Sequence, residues 1–167
     1  LSFVNDTLLV VGSTHTKNFP IWMSTNPKKN DWKELVSKSE AGAWDPQIFW
    51  DKETDEIYEY YGSSNLYPLY GVKLNRKTFQ PEGERIPLLA INDEEHGWER
   101  FGEHNDNTFL QPFTEGPFVT KYNQKYYLQY GAPGTEFSGY GDGVYVSKNP
   151  LGPFEYQLHN PFSYKPG

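Results

Sequence analysis

The chain reads as all-β and, more narrowly, as consecutive blades of a β-propeller, on three observations. Aromatic residues are dense, with 13 Tyr, 11 Phe and 5 Trp among 167 residues, and flat rings suit a pleated surface better than a helix. Thirteen prolines and fifteen glycines interrupt the chain so often that few helical windows remain. One plan also recurs three times: a hairpin on a polar turn, a glycine, then a further strand. Four-stranded units set in series have that signature, whereas a sandwich has short strands without the repeated order.

The first unit runs from Phe3 to Ser13 and resumes from Pro20 to Ser24. After it, Asp31 to Lys38 is the best helical stretch of the chain, with barely two turns. The second unit comprises Ile48 to Asp51, a turn at Lys52 to Asp55, then Ile57 to Ser63 and Leu69 to Leu74. The third comprises Phe118 to Tyr122, a turn at Asn123-Gln124, Lys125 to Gly131 and Gly143 to Ser147. The blade units therefore lie near 3–24, 48–74 and 118–147, with an insertion over 92–112. Trp22 and Trp50 fall inside strands and are expected in the core. Blades take about 40 to 50 residues and the smallest closed ring needs about four of them. Three units are too few, so the chain is expected to be part of a longer propeller whose remainder is its first partner.

Composition narrows the chemistry. With no cysteine there is no disulfide scaffold, no thiolate metal site and no cysteine nucleophile. A formal charge of −7 argues against a nucleic-acid partner, which needs a dense basic face. No apolar run is long enough to span a bilayer as a helix, so a membrane is not expected as a partner.

The acids become informative when the units are aligned by phase. Asp45 stands three residues before Ile48, and Glu115 three residues before Phe118, each beside a proline. The first strand of a blade lines the central channel, so acids at one phase of successive blades converge on one mouth of it. Two converging carboxylates are what glycoside hydrolysis needs, one to protonate the leaving oxygen and another to activate water or attack the anomeric carbon. As turn formers, Asp45 and Glu115 would instead cap strand entries. That reading accounts for one Asp-Pro better than for two acids in register. The same phase in the first unit falls before residue 1.

Trp44-Asp45-Pro46-Gln47-Ile48-Phe49-Trp50-Asp51, Tyr60-Tyr61-Gly62-Ser63-Ser64 and Leu69-Tyr70-Gly71-Val72 resemble the second blade of glycoside hydrolase family 43. Thr114-Glu115-Gly116-Pro117-Phe118-Val119, Tyr126-Tyr127-Leu128, Ala132-Pro133-Gly134-Thr135 and Asn149-Pro150-Leu151-Gly152-Pro153-Phe154 are similar to its third. The resemblance implies a five-bladed propeller that hydrolyses α-L-arabinofuranosides or β-xylosides of plant polysaccharides with inversion. It uses an Asp base, a Glu acid and a second Asp that orients the acid. By motif, Glu115 matches the acid and Asp45 the orienting Asp. The base belongs to the first blade, upstream of Phe3-Val4, and no residue of this chain matches it. No cofactor is implied beyond a structural calcium ion that the full propeller could hold, and an extracellular or periplasmic setting is favoured over the cytoplasm. The rival reading is a carbohydrate-binding propeller that keeps the groove without hydrolysis.

Other side chains have two readings each. Trp44 would stack on a sugar ring or pack between blades. His15 would face the channel as a hydroxyl ligand or sit exposed in its loop. Trp98, in the insertion, would rim the substrate pocket or anchor a surface loop. Thr135, Glu136 and Tyr140 lie in a second Gly-rich loop, Gly131 to Gly143, also placed to rim a pocket. His96, Glu99, His104 and Asp106 have metal-ligand chemistry without a recognised spacing, so no metal site is assigned.

Overall fold

A computed structural model describes residues 1–12, 20–42 and 44–164. Three antiparallel sheets follow one another along the chain. In the first, β1 (Ser2–Val4), β2 (Thr7–Val10), β3 (Ile21–Ser24) and β4 (Lys33–Val36) pair in sequence order. Next come β5 (Gln47–Asp51), β6 (Glu56–Tyr61), the short β7 (Ser63–Ser64), β8 (Leu69–Leu74) and β9 (Ile86–Leu89). Of these, β5, β6, β8 and β9 form the second sheet, while β7 leaves it and pairs with the third. The third sheet is built on β10 (Thr114–Tyr122), β11 (Lys125–Ala132) and β12 (Gly141–Ser147), extended by β13 (Glu155–Tyr156) and β14 (Ser163–Tyr164).

Local chemistry accounts for the hairpins. Asn123 and Gln124 both take positive φ, 47° and 59°, between Tyr122 and its partner Lys125. Two such residues give the turn whose twist matches the flanking strands. Asp55 closes the β5–β6 turn at φ 56° and accepts a hydrogen bond from Trp50 Nε1 at 3.0 Å.

The period-two alternation then sets the core. On β6, Ile57 and Tyr61 face a cluster that includes Val4, Leu9 and Ile21 of the first sheet. Tyr58 and Tyr60 point the other way, into a cluster with Val119, Tyr126, Leu128 and Tyr130 of the third. The middle sheet is therefore buried on both faces, and every residue of β6 after Glu56 is buried, Glu59 included. The outer faces of the flanking sheets remain open, with Phe3 and Trp22 exposed on one and Phe118, Tyr122 and Phe162 on the other. Stacked sheets without a closed ring make a partial propeller.

Two expectations are corrected. Asp31 to Lys38 is not helical: its centre is β4, where Val36 pairs with Ile21 and enters the core. Pairing with the free edge of β3 outweighs the small helical preference of eight residues. Asp31 meanwhile closes the preceding loop, accepting from the Ser24 and Thr25 hydroxyls and the Asn26 N–H. Trp22 is 40% exposed on the outer face of β3, because Ile21, not Trp22, has the inward phase.

Candidate active site

Glu115 is the second residue of β10, and its position follows from a break in that strand. Its backbone pairs with Gly131 of β11 on one side and Ser63 of β7 on the other. The register then slips between Glu115 and Phe118, with Gly116 at φ 63°. A bulge with a left-handed glycine bends the strand and re-aims the neighbouring side chain. The half-buried carboxylate accepts two hydrogen bonds: Ser63 Oγ donates to Oε2 at 3.1 Å, and Tyr140 OH to Oε1 at 3.0 Å. Tyr140 reaches it by lying across Gly131, where an added Cβ would stand 2.1 Å from the phenol oxygen. Burial first, then the charge and hydrogen bond of Glu115, push the Tyr140 phenol well above its usual range. Tyr140 therefore remains a donor at any working pH.

Asp45 lies in the turn before β5 at φ 46°, exposed. Asp tolerates this left-handed conformation better than most residues, at a cost of about 1–2 kcal/mol. The charges of Asp142 and then Asp45 add smaller contributions to the field that raises Tyr140. The Trp44 carbonyl accepts from the Gly62 N–H at 2.8 Å, which ties the Asp45 turn to the segment that carries Ser63.

A cleft of about 660 Å³ opens beside these groups, lined by Trp44, Tyr61, Ser63, Tyr67, Tyr70 and Arg85. Its floor is the Tyr61 ring, packed so tightly on Gly42 that a Cβ there would fall 2.1 Å from a ring carbon. Ser63 belongs to both places, lining the cleft and bonding Glu115.

The remaining predicted residues are dispersed. Trp98 is half-buried at the second core cluster, with its ring 5.6 Å from that of Tyr130 and its Nε1–H donating to Tyr156 OH at 3.0 Å. Tyr130 and Gly131 face opposite sides of β11, which puts Trp98 across the sheet from Tyr140 as the anchor of its loop. Thr135 and Glu136 are exposed on the loop that ends at Tyr140, and Glu136 folds back over Gly134. His15 lies outside the described residues. Glu99 is fully buried and accepts from Tyr130 OH and the Asn92 N–H, with His96 Nδ1 at 3.3 Å. Among the described residues no three His, Asp or Glu side chains are placed together to hold a metal ion. No helix among them is long and apolar enough to cross a membrane.

Three residues of the site were not singled out from the sequence as partners of the acid: Ser63, Gly131 and Tyr140. Tyr140 was legible only as part of a loop at a pocket rim, and Gly131 as a glycine near the end of an aromatic strand, which often marks close approach of another group.

The family model of glycosyl hydrolases family 43 matches residues 7–166. The chain belongs to glycosyl hydrolase family 43. Solved structures of similar fold include a thermostable family-43 glycoside hydrolase, 23% identical over 88% of this chain with a TM-score of 0.67. An endo-1,4-β-xylanase of Bacteroides thetaiotaomicron is 21% identical over 93% with a TM-score of 0.66. The native arabinanase of Bacillus subtilis is 19% identical over 92% with a TM-score of 0.59. The chain spans 47%, 49% and 51% of their respective lengths. No curated protein matches this family-43 chain.

Proposed function

We propose that this family-43 chain supplies the acid side of an inverting glycosidase acting on plant-polysaccharide pentosides, α-L-arabinofuranosides or β-xylosides. Glu115 is the general acid, Asp45 orients it, and the base is an Asp outside these 167 residues. The observation that carries the reading is the Glu115 carboxylate held between the Ser63 and Tyr140 hydroxyls. Two hydroxyl donors fix the carboxyl plane, which a proton donor needs at the moment the bond breaks. Support for pentose polymers comes from the names of two structural relatives, a xylanase and an arabinanase.

In this scheme Glu115 gives its proton to the glycosidic oxygen as the bond from that oxygen to the anomeric carbon breaks. The base takes a proton from a water that attacks the same carbon from the opposite face. Inversion needs the two carboxyls about 6.5–9.5 Å apart, a span that facing channel walls provide. The test is Glu115→Ala in a chain that carries the whole ring. Turnover of a substrate with a poor leaving group should fall about 10²–10⁴-fold, while nitrophenyl arabinofuranoside or xyloside, which leaves without protonation, should be largely spared. Equal loss on both would count against the acid assignment.

A further inference from the structure

The cleft beside Glu115 has a chemistry that hydrolysis of a neutral sugar does not use. Arg85 is the only charged residue in its lining. In a chain of net charge −7, that guanidinium has no carboxylate within 4.0 Å among the described residues, although other basic side chains do pair. It lies 4.5 Å over the Tyr70 ring, which in turn stacks on Tyr61 at 5.8 Å and 25°. This contact places the guanidinium over one aromatic face, and no carboxylate among the described residues is paired with its N–H groups. Below it, burial raises the Tyr61 phenol above its ordinary value, and the neighbouring Arg85, by side-chain hydrogen bonding and by its charge, opposes that rise. Tyr67, 66% exposed, and Trp44 give the cleft apolar ring surfaces. Aromatic faces beside one guanidinium that no carboxylate pairs suit a sugar that bears a planar anion, and the anion carried by plant-wall pentose polymers is a uronic carboxylate.

We infer that the cleft formed by Trp44, Tyr61, Tyr67, Tyr70 and Arg85 is a subsite for a uronosyl substituent, whose carboxylate Arg85 binds. This rests on the glycosidase reading above and narrows its substrate to acidic pentosides. Because Ser63 borders both the cleft and Glu115, the uronosyl group sits beside the scissile bond and not on it.

Calorimetric titration of the 167-residue chain tests this with three probes: xylotriose, xylotriose bearing one glucuronosyl group, and the methyl ester of the latter. The acidic trisaccharide should bind roughly ten- to a hundredfold more tightly than the neutral one, and esterification should remove the gain. Arg85→Gln, at an exposed position, should bring the acidic ligand to the neutral level and leave xylotriose affinity unchanged. Arg76→Gln, which removes an arginine paired with Asp55, should leave the preference intact. Equal affinities in the native chain, or a preference that survives Arg85→Gln, overturn the inference and leave the glycosidase reading standing. If no saccharide binds the native chain, the inference falls, and turnover by the Glu115→Ala variant of the whole ring decides the glycosidase reading separately.

Discussion

Gln47 satisfies both backbone groups of Val119. Its Nε2–H donates to the Val119 carbonyl at 2.9 Å, and its Oε1 accepts from the Val119 N–H at 2.6 Å. The two residues are 72 apart in sequence and lie in different sheets. Gln47 opens β5 just after Asp45, and Val119 follows Glu115 on β10. One amide therefore sets the position of one candidate carboxylate relative to the other.

Replacing Gln47 by Leu should destabilise the chain by about 2–4 kcal/mol, because two buried backbone groups lose their partners at once. Urea unfolding measures it, with an unchanged slope showing that the fold is retained. A loss below about 0.5 kcal/mol would mean that water replaces the amide.

Gly131→Ala should displace Tyr140 from Glu115, since the added Cβ would stand 2.1 Å from the phenol oxygen and 2.7 Å from the ring carbon that bears it. The expected cost is about 1–3 kcal/mol. In a Tyr140→Ala background the same change should cost almost nothing. A double-mutant cycle reads this coupling directly, and additive losses would show that the two residues do not meet in solution.

Glu59 should make stability fall as pH rises. It is fully buried, with Oε1 unpartnered and only Ser39 Oγ near its other oxygen, at 3.5 Å. Burial pushes its carboxyl up to about 8. A folded-state value raised above the unfolded one leaves stability intact at acid pH. Stability is then lost between the ordinary glutamate value and about 8, by on the order of 5 kcal/mol over the full range. Melting temperatures from pH 4.5 to 8.5 should decline in the native chain and flatten in Glu59→Gln.

Asp51 has the opposite sign. Burial opposes its charge, yet the Tyr126 hydroxyl and Lys121, whose ammonium is 2.9 Å away, outweigh that and hold the carboxyl below its usual range. Its contribution is present above the ordinary aspartate value and lost as pH falls through the lowered one. Lys121→Met should therefore shift acid unfolding to higher pH and cost about 3–5 kcal/mol at neutrality, by leaving a buried carboxylate without its cation. An unchanged acid midpoint would assign the stabilisation to Tyr126.

Much of the fold was legible because its signals are local. The alternation in Ile57-Tyr58-Glu59-Tyr60-Tyr61, the Asn123-Gln124 turn and the Glu-Gly-Pro entry to β10 act through residues one to four apart. The common phase of Asp45 and Glu115 came from the same spacing. Local signals were misleading where a sheet edge competed with them: Asp31 to Lys38 has some helical character, but β3 offered unpaired backbone, and the strand won.

Position along the repeat, the alternation of faces and the candidate carboxylates were thus written in the order of residues, since strand period and turn chemistry need no distant partner. Tyr140 over Gly131, Ser63 against Glu115, Gln47 on Val119 and Arg85 over Tyr70 were not. Each depends on how loops travel and how sheets stack. A hydrogen bond formed across 25, 52 or 72 residues leaves no mark on the spacing at either end.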